Sequence, residues 1–93
     1  MVVETLPFVV PHVGRMSVNE GPAGVLNVVF AYANGHGAMV GRGMGESMFR
    51  LTALDSAGNV ATLPEILGEG VVTAQYLTEY EVTALLTRIA TLR

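Results

Sequence analysis

The chain has 93 residues, of which 51 % are hydrophobic and 14 % are charged, and its formal net charge is -3. This balance excludes a disordered chain, because disorder requires low hydrophobicity and high net charge, and it favours one domain. A domain of this size hides only about 64 % of the surface that its unfolded chain exposes. Since ordinary domains carry about 25 % charged residues, we expect this chain to bury further surface against other chains.

Missing residue types exclude several kinds of chemistry. The absence of cysteine excludes disulfides, thiol nucleophiles and zinc–thiolate sites. All five basic residues are arginines, which excludes lysine Schiff bases, and their scatter provides no basic stripe for nucleic acid. No apolar run reaches the ~18 residues of a membrane span, and the start does not resemble a signal peptide. We therefore expect no cofactor, no nucleic acid and no membrane span, and a location in the cytoplasm or in a particle assembled there.

The first third of the chain mixes extended and irregular signals. Residues 2–10 favour an edge strand interrupted at Pro7, which has no N–H to donate to a sheet. Residues 11–24 contain two prolines and three glycines, which predicts a loop or arm. Residues 25–33 are the strongest strand prediction, and Asn34-Gly35 after them predicts a two-residue type I′ hairpin turn.

Residues 35–45 hold five glycines, which predicts either a weak, bent strand or a mobile loop. The spacing Gly35-x-Gly37-x-x-x-Gly41 after a strand also approximates a nucleotide-binding fingerprint. That fingerprint must open a helix, and each further glycine in such a helix would destabilise it by about 1 kcal/mol relative to alanine. We therefore favour a hairpin and loop over nucleotide binding.

A second turn is predicted at Asp55-Ser56-Ala57-Gly58-Asn59, because aspartate favours the start of a turn and glycine its position of positive φ. The stretch from Arg50 to Val60 resembles a hairpin often seen in fibronectin-type and bacterial immunoglobulin-like sandwiches, and this resemblance implies a hairpin here. Residues 64–67 are predicted to form one helical turn that ends at Gly68, and residues 71–76 a last short strand.

The C-terminal segment has the most complete signals in the chain. Thr78 is the predicted N-cap of a helix, and Glu81 three residues later completes a capping box. Apolar residues follow at helical spacing and form one stripe, which consists of Val82, Leu85, Ile89 and Leu92. We predict an α+β fold with an antiparallel sheet of four to six strands covered by this helix, and a β-sandwich with a docked terminal helix as the alternative.

Two sets of residues are candidates for function. His36, Arg42 and Asp55 are the polar candidates for ligand binding in a pocket between sheet and helix, since a loop histidine can act as acid, base or ligand. Methionine adapts its shape to partner surfaces, and the interface candidates are Phe8, Met39, Met44, Met48, Val82, Leu85, Ile89 and Leu92. The spacing of the two histidines predicts no metal site, and no serine lies in a G-x-S-x-G motif.

These sequence patterns indicate binding to partner proteins more strongly than they indicate catalysis. The first hypothesis is a structural or assembly subunit that forms a homo-oligomer, such as a component of a virion or shell. Two alternatives stay open: a small ligand-binding domain or enzyme, and an accessory subunit of a larger protein complex. Taken together, the candidate residues favour a protein that is not an enzyme.

Overall fold

The computed structural model describes residues 15–21 and 25–92. Within these residues the elements are β1 (Arg15–Glu20), β2 (Leu26–Ala31), β3 (Gly37–Arg42), β4 (Phe49–Leu54), α1 (Pro64–Leu67), β5 (Thr73–Leu77) and α2 (Glu79–Ala90). The interrupted strand predicted at residues 2–10, and Phe8 with it, lies outside the described residues.

The five strands form one antiparallel sheet in which each strand pairs with the next one along the chain. Helix α2 packs across β3, β4 and β5, and α1 contacts α2. The predicted α+β fold, with four to six antiparallel strands and a covering C-terminal helix, is therefore confirmed. The sandwich alternative needs a second sheet, whereas all the described strands belong to one.

Buried and exposed side chains alternate along the strands, so the sheet has a core face and an outer face. On β2 the side chains of Leu26, Val28 and Phe30 are buried, while Asn27 and Ala31 are exposed. Directly opposed residues of antiparallel strands share a face, so the core face continues across the sheet and meets α2. The largest fully buried side chains in this core are Phe30, Leu51, Leu86, Ile89, Val28, Val40 and Val82.

Helix α2 begins with the predicted capping box. The Thr78 hydroxyl accepts a hydrogen bond from the Glu81 N–H at 3.2 Å, and the Glu81 carboxylate accepts one from the Thr78 N–H at 2.8 Å. Its completely buried side chains are Val82, Leu86 and Ile89, so the stripe is centred on Leu86, and Leu85 is only half-buried. The predicted turn of helix is also confirmed as α1, which starts at Pro64 and ends at Gly68 with φ 102°.

The turn between β2 and β3 differs from the predicted type I′ turn. The Gly35 N–H donates to the Tyr32 carbonyl at 3.2 Å, and the Tyr32 N–H donates to the His36 carbonyl at 2.9 Å. Gly35 has φ 87°, but Asn34 is not among the described residues with positive φ, as a type I′ turn would require. The connection is therefore a three-residue loop that ends in a glycine bulge.

The second predicted turn has the same hydrogen-bond pattern. The Gly58 N–H donates to the Asp55 carbonyl at 3.0 Å, the Asp55 N–H donates to the Asn59 carbonyl at 2.8 Å, and Gly58 has φ 84°. The returning segment makes one bridge, between Leu54 and Val60, and then leaves the sheet. The turn is thus confirmed, while the strand that pairs with β4 is β5, further along the chain.

Strands form in the predicted loop or arm at residues 11–24, which corrects that prediction, and in residues 35–45, where the strand is the confirmed one of the two predicted alternatives. Arg15–Glu20, within the predicted arm at residues 11–24, is the edge strand β1, and Gly37–Arg42, within the glycine-rich segment, is the central strand β3. In β1 the half-buried Met16 lies opposite the buried Phe30. The local sequence of β1 does not favour a strand, but pairing with β2 provides hydrogen bonds and an apolar contact that stabilise one. Strand β3 pairs with β2 on one side and with β4 on the other. These two strands keep β3 in the sheet, although its glycines alone would not favour a strand.

The side chain of Asn34 caps the C-terminal end of α2. Its side-chain Nδ2 donates to the carbonyls of Ile89 at 2.9 Å, Ala90 at 3.2 Å and Leu92 at 3.0 Å, at the end of the helix, where the last carbonyls have no following turn to bond. The Ile89 carbonyl also accepts from the Leu92 N–H at 3.3 Å. We expect Asn34→Ala to lower the free energy of unfolding by about 1 kcal/mol, measured by urea denaturation.

Asn59 provides the matched control for that substitution. It lies in the other turn, and no described residue hydrogen-bonds its side chain. Asn59→Ala should therefore change the free energy of unfolding by less than about 0.5 kcal/mol. Equal effects of the two substitutions would contradict the assignment of a helix-capping role to Asn34.

Candidate functional site

Exposed apolar side chains concentrate at one end of the sheet. At this end, here called the groove end, β3 finishes, β4 begins, β5 finishes and α2 starts. Seven large hydrophobic side chains are exposed in the described residues, and four of them belong to segments at this end: Met44, Met48, Tyr76 and Tyr80.

The main irregularity of the sheet lies at the groove end, in a β-bulge on β5. Phe49 pairs with Leu77 and Leu51 pairs with Ala74, so Arg50 on β4 faces two residues, Gln75 and Tyr76. The core-face residues Ala74 and Leu77 are three positions apart, a spacing that puts side chains on opposite faces of a regular strand. The bulge allows both to face the core and turns the two residues between them outward.

Tyr76 adopts a strained conformation within this bulge. Its φ is 60°, and among the described residues other than glycine it alone has a positive φ. The left-handed region costs an L-residue about 1–2 kcal/mol, and tyrosine lacks the short polar side chain that eases this conformation in asparagine. The side chain is nevertheless 78 % exposed, so burial of the ring does not offset the strain within a single chain.

A groove of about 350 Å³ lies beside Tyr76. We call it the bulge groove, and its lining residues are Gly45, Glu46, Ser47, Met48, Phe49, Arg50, Gln75 and Tyr76. The loop on one side is held by a bond from the Gly43 N–H to the Glu46 carboxylate at 2.8 Å and by one from the Glu46 N–H to the Gly43 carbonyl at 3.2 Å. Thioether, phenol, amide and guanidinium groups thus line one depression on the surface.

Arg50 supplies the positive charge of the bulge groove. Its Nη1 is 3.5 Å from the Glu46 Oε1, and both side chains are about half-exposed, so this ion pair contributes at most about 1 kcal/mol. The guanidinium lies over Gly41, where an added Cβ would be 3.8 Å from Nε and 3.9 Å from Nη2. The Arg50 guanidinium therefore lies on the outer face of the sheet, at van der Waals distance from the Gly41 position.

Arg42 lies at the same end of the sheet, with its guanidinium stacked on an aromatic ring. Its Cζ is 5.0 Å from the centroid of the buried Phe49 ring, a cation–π geometry.

The three polar residues predicted to bind a ligand are not brought together. Gly37 pairs with Leu54, so His36 and Asp55, each one residue further on, lie at the opposite end of β3, about 20 Å from Arg42 by strand rise.

Local bonds account for two of these predicted ligand-binding residues. The Asp55 carboxylate accepts from the Ala57 and Asn59 N–H groups at 2.9 Å each, which stabilises its own turn. The His36 N–H donates to the Asn34 side-chain carbonyl at 3.0 Å. Core side chains fill the space between sheet and α2, where the sequence predicted a pocket. Ligand binding by His36, Arg42 and Asp55 thus stays a prediction without a shared site.

The predicted interface residues within the described part of the chain divide into three groups. Met44 and Met48 are exposed at the groove end, where a partner can reach them. Val82 and Ile89 are completely buried in the chain's own core, which corrects their assignment to an interface, and Leu85 and Leu92 are partly buried against that core. Met39 is half-buried on the outer face, opposite Val29 and Thr52.

Sequence reasoning missed Tyr76 and Arg50. One available signal was the spacing of Ala74 and Leu77, two apolar residues three apart with polar or amphipathic residues between them, at the end of the strand predicted at residues 71–76. The described residues hold no cluster of three or more histidine, aspartate or glutamate side chains suited to a metal ion. No helix in the described part of the chain is long and apolar enough to cross a membrane.

Comparison with known proteins identified no relative: no family model, no curated protein and no solved structure matches this chain.

Proposed function

We propose that this chain is a structural assembly subunit that binds further copies of itself through the bulge groove and the adjoining methionine loop. The observation that carries the proposal is Tyr76, an aromatic side chain held in solvent at a backbone strain that burial of its ring does not offset in the described part of the chain. Such strain clusters at functional sites, where it presents a side chain to a partner.

The residue types at the groove end support protein binding. Tyrosine, phenylalanine, methionine and arginine are enriched in the cores of protein interfaces, and tyrosine and arginine are frequent binding hot spots. The lining of the bulge groove includes Tyr76, Met48, Arg50 and Phe49, and Met44 lies next to it in the loop. A surface of this composition, in a chain with 14 % charged residues, fits an interface with other subunits.

The proposal predicts concentration-dependent association. Light scattering coupled to gel filtration, or native mass spectrometry at micromolar concentration, should show oligomers of the wild-type chain. We expect Tyr76→Asn to weaken association about tenfold or more, because it removes the aromatic ring from the interface. The same substitution should raise the free energy of unfolding by about 1 kcal/mol, because asparagine accepts the left-handed conformation more readily.

Val60→Asn is the matched control, since Val60 is 57 % exposed and follows the turn at the opposite end of β4. It should leave association unchanged. A wild-type chain that stays monomeric throughout the concentration range would refute the proposed function. Oligomers that are unaffected by Tyr76→Asn would refute the role of the bulge groove.

Electron microscopy and co-purification extend the test to the kind of assembly. Closed particles of uniform size in micrographs of the purified protein would support a component of a virion or shell. Co-purification of a different protein in fixed stoichiometry, with no self-association, would instead favour an accessory subunit.

A further inference from the structure

The Asn34-Gly35 pair in the turn between β2 and β3 is chemically reactive as well as structural. In an asparagine–glycine sequence the asparagine side chain loses its amide nitrogen readily, because glycine has no Cβ to hinder attack by its backbone nitrogen. The other three asparagines of the chain precede glutamate or valine, whose side chains hinder this attack. Asn34 is therefore the intrinsically reactive asparagine of this sequence.

Loss of the amide nitrogen, or deamidation, proceeds in two steps. The Gly35 backbone nitrogen attacks Cγ of Asn34, so that a new carbon–nitrogen bond forms and the Cγ–Nδ2 bond breaks. The proton of the Gly35 N–H passes to the departing nitrogen, which leaves as ammonia. The cyclic succinimide then adds water and opens to aspartate or to isoaspartate, so water is the co-reactant and no oxidant or reductant takes part.

In the folded chain, hydrogen bonds hold both reacting groups. Nδ2 of Asn34, the leaving nitrogen, donates to three carbonyls at the C-terminal end of α2, at 2.9, 3.2 and 3.0 Å. The Gly35 N–H, the attacking group, donates to the Tyr32 carbonyl at 3.2 Å. Attack requires the Asn34 side chain to turn towards the Gly35 nitrogen and to leave the carbonyls of α2. The docked helix end therefore opposes the reaction.

The remaining hydrogen bond of the Asn34 side chain favours the reaction. Its Oδ1 accepts from the His36 N–H at 3.0 Å, a contact between residues two apart. Because this contact is local, it does not depend on α2. A donor at a carbonyl oxygen also stabilises the negative charge that develops there during attack. When the end of α2 detaches, the turn keeps this donor and loses the bonds that hold the leaving nitrogen.

We propose that Asn34 is a deamidation site that the C-terminal end of α2 protects, and that reaction follows detachment of this end of the helix. The product does not restore the protected state. A carboxylate at position 34 has no N–H for the three helix carbonyls, and its charge lies at the negative end of the helix dipole. Deamidation therefore converts a reversible local opening into a permanent one.

Val60→Gly provides an internal reference, because it creates a second asparagine–glycine sequence in the other hairpin turn. Val60 is 57 % exposed, and no described residue hydrogen-bonds the Asn59 side chain. The variant is incubated in mildly alkaline buffer, folded or unfolded in urea, and peptide mass spectrometry measures aspartate and isoaspartate at both turns. In the folded chain we expect Asn34 to react at least about tenfold more slowly than Asn59, because it reacts only from the open state. In urea the two rates should be equal.

Ile89→Val tests the role of α2 in the same background. Ile89 is completely buried, and its carbonyl accepts one of the bonds from Asn34. Removing one methyl group there loosens the packing of the helix end, which should speed the reaction at Asn34 about two- to tenfold and leave that at Asn59 unchanged. Asn34→Asp, which is one of the products, should unfold at a lower urea concentration than Asn34→Ala, because it adds a repelled charge to the loss of the bonds.

Each of these measurements can contradict the proposal. Equal rates at the two turns of the folded chain, or an Asn34 rate that Ile89→Val does not raise, would overturn the protection by α2. An Asn34→Asp variant that unfolds at the same urea concentration as the wild type would overturn the permanent opening.

Discussion

Replacing Gly37 with alanine should lower the free energy of unfolding by about 3 kcal/mol. A Cβ at this position would lie 2.5 Å from the carbonyl oxygen of Phe30 in the neighbouring strand. The clashing atom belongs to the backbone of β2, so relief requires the central strands to separate and not merely a side chain to turn. Overpacking of a well-packed interior typically costs about 1–3 kcal/mol, and a rigid backbone neighbour places this site at the upper end.

Gly41→Ala is the control on the same strand and the same face. Its added Cβ would be 3.6 Å from the Leu26 carbonyl oxygen and 3.8 Å from the Arg50 Nε, both ordinary contacts. Alanine also loses less backbone entropy than glycine on folding, so this variant should be as stable as the wild type or more stable by about 0.5 kcal/mol. Urea denaturation of both variants measures the difference, and equal stability would contradict the close packing at Gly37.

Tyr32→Phe should change how stability depends on pH at alkaline values. The Tyr32 side chain is 7 % exposed, and its hydroxyl is buried without a hydrogen-bond partner in the described structure. Burial raises the pKa of Tyr32 from 10.0 to about 12, because the tyrosinate form loses its hydration. At neutral pH, removing this unpartnered hydroxyl should stabilise the protein by about 1 kcal/mol.

The direction of the pH effect follows from where the proton is held. Between pH 10 and about 12 the unfolded chain loses the Tyr32 proton while the folded chain retains it. Stability is therefore fully present below pH 10 and falls as the pH rises towards 12, by about 2–3 kcal/mol from this residue. Tyr32→Phe should remove that part of the decline.

The composition of the chain makes this measurement selective. It contains no cysteine and no lysine, so no thiol and no lysine ammonium group contributes to the alkaline decline in stability. Tyr80→Phe, at an exposed position, is the control and should retain the steep alkaline decline. Urea denaturation at pH 8, 10 and 11 follows the effect, and parallel declines in wild type and Tyr32→Phe would contradict it.

Local signals explain the elements that the sequence predicted well. The capping box of Thr78 and Glu81 involves residues three apart, so a helix start is readable without any other part of the fold. The same holds for the single turn that Pro64 opens and Gly68 ends, and for the β-branched run that forms β2. In each case neighbouring residues contain all the interactions that decide the structure.

The turn at Asn34 shows where local reasoning stops. Asn34-Gly35 indicates a turn, but its type depends on bonds to carbonyls 55 to 58 residues away at the end of α2. The glycine-rich β3 is a similar case, because strands on both of its sides hold it in the sheet. At Gly37 the absence of a side chain permits the close approach of β2, a use of glycine that no local pattern distinguishes from a flexible loop.

The sequence by itself determined the α+β class, the C-terminal helix with its cap, and the surplus of apolar residues that indicates partners. Tertiary structure decided where that surplus lies: it buried Val82 and Ile89 against the sheet and left Tyr76, Tyr80 and Met48 in solvent at the groove end. The physical reason is register. Because both Ala74 and Leu77 face the core opposite β4, the strand must bulge between them, and this bulge turns Tyr76 outward beside Arg50.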